Sequence, residues 1–248
     1  MTLKFAVVHE ATDDFATATE LADRVLLECF DWIEADTLVY YRDWLNRSPD
    51  GDSLSWKKLK RVALEAGIVV EGHFDGEVAE PDARAGRRAI LFLRQRIPEL
   101  SGIMLIRDQD DQPQRRRGLE QAREHLEEYI PVVVGLATIE REAWVLSGFD
   151  PIDEAETEKL EAERQNLGFQ PHHQSHQLTA CKADQAKRSP KRVLEFLSGG
   201  DPVRERRCWV ETPLPTLRER GIENGLAAYL DEVRHKLAPL IGHIAPPL

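Results

Sequence analysis

Apolar residues come in short blocks along this chain, separated by longer amphipathic stretches. Leu3 to His9 (LKFAVVH) is an apolar run with adjacent valines, which predicts a buried first strand. An acidic turn follows. Then Phe15, Ala18, Ala22, Val25, Cys29 and Ile33 recur at helical spacing, with Thr12 or Asp13 as the expected cap. Residues 36–66 read as two helices around the turn-rich NRSPDGDS, and residues 68–74 (IVVEGHF) as a strand. An arginine-rich helix is expected over 83–97, ending at Pro98. Gly102 to Ile106 (GIMLI) is a second buried strand that runs straight into Arg107-Asp108-Gln109-Asp110-Asp111. Pro113 suits the first turn of the next helix, whose stripe includes Leu119, Ala122 and Leu126. Residues 130–137 (IPVVVGLA) make a third strand, and Thr138 to Ser147 a helix opened by a threonine cap.

Nearly continuous apolar strands separated by helices predict an α/β fold, a parallel sheet with helices on both faces. The character changes near residue 151: a charged helix (153–167), a polar loop (GFQPHHQSHQ), a helix from about Pro190, and an amphipathic helix from Asn224 to Ile241. No repeat or long linker is visible. The expected organisation is a domain over 1–150 with a helical insertion at about 36–98, and a mainly helical extension over 151–248 packed on it.

Composition narrows the class. With 42% hydrophobic and 31% charged residues over 248 positions, the chain can bury a sizeable core. No apolar run reaches the roughly 18 residues of a membrane span, because Pro131 and Gly135 interrupt the longest. MTLKFAVVHE meets acid too soon for a signal peptide, and the three cysteines have no paired spacing, so a cytoplasmic protein is expected. The formal charge of −11 argues against tight, stand-alone binding of nucleic acid, since phosphate neutralisation needs cations. The cations are nonetheless clustered: Lys57, Lys58, Lys60 and Arg61; Arg84, Arg87, Arg88, Arg94 and Arg96; Arg115 to Arg117; Lys187, Arg188, Lys191 and Arg192. Each run by itself reads as a solvated helix face.

Three predicted strands end in acid: Glu10 after the first, Asp108 and Asp110 after the second, Thr138 and Glu140 after the third. Ligands gather at the carboxyl ends of parallel strands. Two aspartates at i and i+2 can share a hard cation through oxygen, and a glutamate from a neighbouring strand completes the set. With Glu140 and Asp14 there is carboxylate enough for two ions, the arrangement that activates water and stabilises a leaving oxygen. A lone DxD is weak, but three acidic strand ends in order are harder to dismiss.

The order of Glu10, with Asp14 four residues on, then Asp108-Gln109-Asp110, then Thr138-Ile139-Glu140 resembles the Toprim domain of the OLD (overcoming-lysogenization-defect) nucleases. Residues 139–146 are also similar to the E-A-W-L-L run of small bacterial Toprim-like proteins. The resemblance covers about 150 residues. It implies a Toprim/Rossmann-like sheet and Mg²⁺ or Mn²⁺ held by Glu10, Asp14, Asp108, Asp110, Thr138 and Glu140. It further implies a charge-stabilising lysine, Lys187 or Lys191, and hydrolysis of nucleic-acid phosphodiesters, DNA first. By analogy it also implies antiviral defence alongside an ABC-type ATPase; no GxxxxGK[ST] is present, so the ATPase would be another chain. Thr138 stands where the family has serine. Ala11 stands where it has glycine, which predicts strain if that turn needs positive φ.

Two other readings compete. A manganese-dependent sugar-nucleotide transferase would use the DxD without Glu10 or Glu140, and a non-catalytic Toprim-like subunit would use its acidic edge only for docking. His172, His173 and His176, with Cys181 nearby, fit no zinc spacing and read as a polar surface loop. The five tryptophans read as packing residues, and His9 as facing away from Glu10.

Overall fold

A computed structural model describes residues 2–180 and 185–244. In chain order the elements are β1 (Leu3–Val8), α1 (Thr12–Cys29), β2 (Arg42–Leu45), α2 (Trp56–Glu65), β3 (His73–Phe74), β4 (Glu77–Val78) and α3 (Ala83–Arg96). There follow β5 (Leu100–Asp108), α4 (Arg115–Arg123), β6 (Val132–Ala137), α5 (Arg141–Ser147) and α6 (Glu154–Leu167). The chain continues with α7 (Pro190–Ser198), α8 (Pro202–Val210), α9 (Leu214–Arg220), α10 (Leu226–Lys236) and α11 (Ala238–Ile244). The fold is α/β, a four-stranded parallel sheet with helices and a mainly helical C-terminal part. Among the described residues no helix is long and apolar enough to cross a membrane.

The chain divides into two compact units. One comprises Met1–Arg107, Gln112–Gly135 and Asp231–Leu248; the other comprises Asp108–Asp111 and Leu136–Leu230. The sheet order is β2-β1-β5-β6. Phe5 to Val8, Ile103 to Leu105 and Val132 to Val134 are fully buried, so both faces of these strands are covered. Of the predicted stripe, α1 buries Ala18, Ala22 and Val25, joined by Leu21 and Leu26; Phe15 and Cys29 are half-buried, and Ile33 lies past the helix, which ends at Cys29.

Several local expectations are corrected. The first helix expected within 36–66 is instead a short 3-10 turn, Leu38–Tyr40, followed by the edge strand β2. β2 pairs in parallel with β1, Leu3 opposite Arg42 and Phe5 opposite Trp44. Four residues hold too little pattern to reveal a strand, and only the partner strand makes it one. The expected insertion at about 36–98 is therefore not purely helical. Of residues 68–74 only His73–Phe74 is strand, paired with Glu77–Val78 across the Asp75-Gly76 turn. Both turn residues have positive φ, as a two-residue hairpin requires. Pro113 lies outside α4, which begins at Arg115. The single final helix expected from Asn224 is two, α10 and α11. The short helices α8 and α9 each carry proline in the first turn, a start signal that sequence reading passed over.

The second unit is helical. α6 is capped by Asp153, whose carboxylate accepts from the Glu156 amide, and α7 by Ser189, which accepts from Arg192. Two of its arginines are committed to acids within the unit. Arg204 grips Glu156 through two bonds of 2.7 and 2.8 Å, and Arg192 pairs with buried Glu163.

Candidate active site

In the first unit, β1 delivers Glu10 to the start of α1. The N-cap of α1 is Ala11, not Thr12 or Asp13. Asp14, in the first turn, reaches back over the helix start: its Oδ2 takes hydrogen bonds from the amides of Ala11 (2.7 Å) and Glu10 (3.2 Å). Ala11 is extended at φ −128°, so glycine is not needed there and the expected strain is absent. Glu10 Oε1 stands 2.9 Å from Arg107 Nη1. Arg107 is itself fixed. Its Nε donates to Asp82 at 3.0 Å, its guanidinium stacks over Trp56 at 5.2 Å, and the Trp56 indole donates to the carbonyl of Ile106 at 2.7 Å. Asp82 takes a second cation, Arg115, at 2.7 Å, and holds a left-handed φ of 66° while doing so. His9 is buried beside Phe15 with both ring nitrogens unpartnered among the described residues, and burial lowers its basicity.

In the second unit, the turn after β5 is stitched to the turn after β6. The Gln109 amide donates to Ala137 (2.8 Å) and the Asp110 amide to Ile139 (3.0 Å). Asp110 and Ile139 both have positive φ, 49° and 78°. For β-branched isoleucine that is a genuine outlier, and such strain concentrates at functional sites. Glu140, not Thr138, is the N-cap of α5; its side chain makes no cap bond and is 11% exposed. Lys191, in the first turn of α7, reaches to 3.7 Å from Glu140 Oε1. Lys187 is exposed, and its carbonyl accepts from the Arg192 guanidinium at 2.6 Å. Of the two lysines, Lys191 is the one with a carboxylate of the set.

Sequence reading missed the residue that positions this turn. Asn224 is fully buried, and its amide nitrogen lies 2.7–2.9 Å from Ser147, Ser175 and the Ala143 carbonyl. Its Oδ1 accepts from Leu226 at 3.1 Å, capping α10. Its backbone carbonyl accepts from the amide of Thr138 and the indole of Trp144. Gly225 holds φ 86°, and a Cβ there would fall 2.3 Å from the carbonyl of Leu136. Asn-Gly ahead of an amphipathic run was the available signal. The histidine loop is likewise no plain surface loop. His172 is buried, and burial, with His173 and Arg220 adding to it, pushes its pKa down to about 4. Cys181 lies outside the described residues.

Apart from the lysines, the candidate donors are carboxylate oxygens and one hydroxyl, the chemistry of a hard cation such as Mg²⁺ or Mn²⁺ and not of zinc or copper. By chemical type the residues fit the metal. Among the described residues, no three His, Cys, Asp or Glu side chains are gathered as a ready-made metal cluster. Set against protein-family models, curated proteins and solved structures, the chain matches none.

Proposed function

We propose that this chain is a cytoplasmic, divalent-metal-dependent nuclease of the Toprim type, hydrolysing nucleic-acid phosphodiesters. The observation that carries the reading is the pair of acidic turns after β5 and β6, joined by the bond from the Asp110 amide to Ile139, with Lys191 at Glu140. On this reading Glu10, Asp108 and Asp110 hold one Mg²⁺ or Mn²⁺, and Asp14, Thr138 and Glu140 assist a second. A bound ion supplies Lewis acidity toward the phosphoryl oxygen and a more acidic water. Lys191, or Lys187 in its place, offsets charge on the scissile phosphate. Asp14 fixes the amides of Glu10 and Ala11, and Asn224 anchors the Thr138 amide. To hold an ion, Glu10 and Glu140 would each have to share or loosen the ion pair that its Oε1 makes with Arg107 or Lys191. The resemblance adds antiviral defence with an ABC-type ATPase as the setting.

The test is cleavage of plasmid DNA and of RNA with Mn²⁺, by the chain alone and with an ATPase encoded beside it. Weak, metal-dependent nicking that the ATPase strengthens is expected, and Glu10→Gln should abolish it. Mn²⁺-dependent sugar transfer that survives Glu10→Gln, with no nucleic-acid cleavage, favours the sugar-nucleotide transferase. The ion pairs at Glu10 and Glu140 favour one further reading, a non-catalytic Toprim-like docking subunit. Metal binding with no cleavage under any condition would select it.

A further inference from the structure

On the first unit a cleft of about 400 Å³ is lined by Lys60, Leu64, Glu80, Asp82, Arg84 and Arg88, among others. Its charges are unlike those of the chain as a whole. Lys60 and Arg84 are exposed, and neither has an ion-pair partner among the described residues. Arg88 is only 8% exposed, and its Nε is tied to the Ile68 carbonyl at 3.2 Å, which fixes the guanidinium at the cleft wall. Of the two acids, Asp82 is turned to Arg107 and Arg115. Its side chain consequently makes no cap bond to α3, the helix that begins at this cleft. Of the first-turn amides of this 14-residue helix, that of Ala83 donates to the Glu80 carbonyl at 3.1 Å, and those of Arg84 and Ala85 are left without the side-chain acceptor that an N-cap aspartate ordinarily provides. Helix amides and fixed guanidinium together favour a tetrahedral oxyanion.

We propose that this cleft is a phosphate site, with Lys60, Arg84, Arg88 and the start of α3 as its donors. Resting on the nuclease reading, the phosphate is a backbone group of the substrate strand. Through Asp82 the cleft is joined to Arg107 and thus to Glu10, so a strand held here is led toward the proposed reaction centre. A mononucleotide offers the same chemistry and is the alternative source.

The test uses the full chain in EDTA, which removes catalysis from the measurement. Anisotropy of labelled single-stranded DNA and RNA 12-mers is followed across a salt series, with ATP binding measured in parallel. Lys60→Gln with Arg84→Gln should weaken strand binding about tenfold and flatten the dependence of log K on log salt by about one to two units. Lys57→Gln, an exposed lysine on the same helix outside the cleft, should change neither. Both altered side chains are exposed, and circular dichroism checks that the fold is kept. Unchanged affinity and slope in the double variant, or no strand binding by the unaltered chain, overturns the inference. A loss confined to ATP overturns the strand assignment and gives the cleft to mononucleotides. Strand binding that depends on Lys60 and Arg84, with no cleavage when metal is restored, supports the cleft while the nuclease reading fails.

Discussion

Glu10 in the first unit and Glu140 in the second each face a cation, and the two cations are held by opposite means. Arg107 is clamped from three sides, by Glu10, Asp82 and the ring of Trp56, and its side chain is 18% exposed. Lys191 is half exposed and meets Glu140 at 3.7 Å on a flexible stem. A guanidinium in a fixed fork gives up a carboxylate reluctantly, whereas a solvated ammonium swings away at little cost. Glu140 is therefore the easier of the two acids for an incoming cation to claim. The second unit also fixes its acidic turns through backbone, with Asp110 bonded to Ile139 and Thr138 to Asn224, where the first fixes its acid through side chains. A backbone-held turn stays in place when a side chain leaves.

The largest effect should come from the second unit's acids. Asp108→Ala with Asp110→Ala is expected to remove the calorimetric heat of Mn²⁺ binding altogether; unchanged heats would move the metal elsewhere. Next is the anchor of that turn. Asn224→Ala strips a helix cap and leaves buried hydroxyls and carbonyls without their donor, costing about 3 kcal/mol in a urea denaturation series. A loss below about 1 kcal/mol would mean that the network is redundant.

Arg107→Met tests the clamp from the other side. With Asp82 and Glu10 less compensated, stability should fall by about 2 kcal/mol. Mn²⁺ affinity should meanwhile rise about tenfold, the equivalent of 1.4 kcal/mol, as Glu10 is released. A fall in affinity would make Arg107 a support for the site and not a competitor.

His172 reports on the second unit through pH. Its folded pKa of about 4 lies below the ordinary value of 6.5, so between these values the unfolded chain binds the extra proton. Its contribution is complete above pH 6.5 and is lost as pH falls toward 4. The loss should be roughly 1.5 kcal/mol after allowance for partial solvation. His172→Phe should flatten that limb of the stability profile, and an unchanged limb would assign it to other groups.

The smallest stability effect belongs to Lys191→Met. Losing a half-exposed lysine 3.7 Å from the buried Glu140 carboxylate should cost about 1 kcal/mol, yet cleavage should drop sharply. Lys187→Met should alter neither. The reverse pattern would exchange the roles of the two lysines.

The sheet was legible because its strands are buried on both faces, which writes them as apolar runs that hardly need context. LKFAVVH, GIMLI and IPVVVGLA were read as strands, and the parallel α/β fold follows from the helices between them. The acids at the strand ends were legible as well, since acid directly after an apolar run stands out in any sequence. What tertiary structure alone decided is which partner each polar group takes. RDWL became a strand only beside β1, because four residues carry too little pattern to specify their own state. Asp82, separated from Arg107 by 25 positions, binds it because α3 and β5 bring them to 3.0 Å. Asn224 reaches Ala143 and Ser147 across 81 and 77 positions. A sequence displays periodicity and local spacing, which set secondary structure and burial. Hydrogen bonds and ion pairs depend on distances of a few ångströms between segments far apart in the chain, and only folding makes those distances.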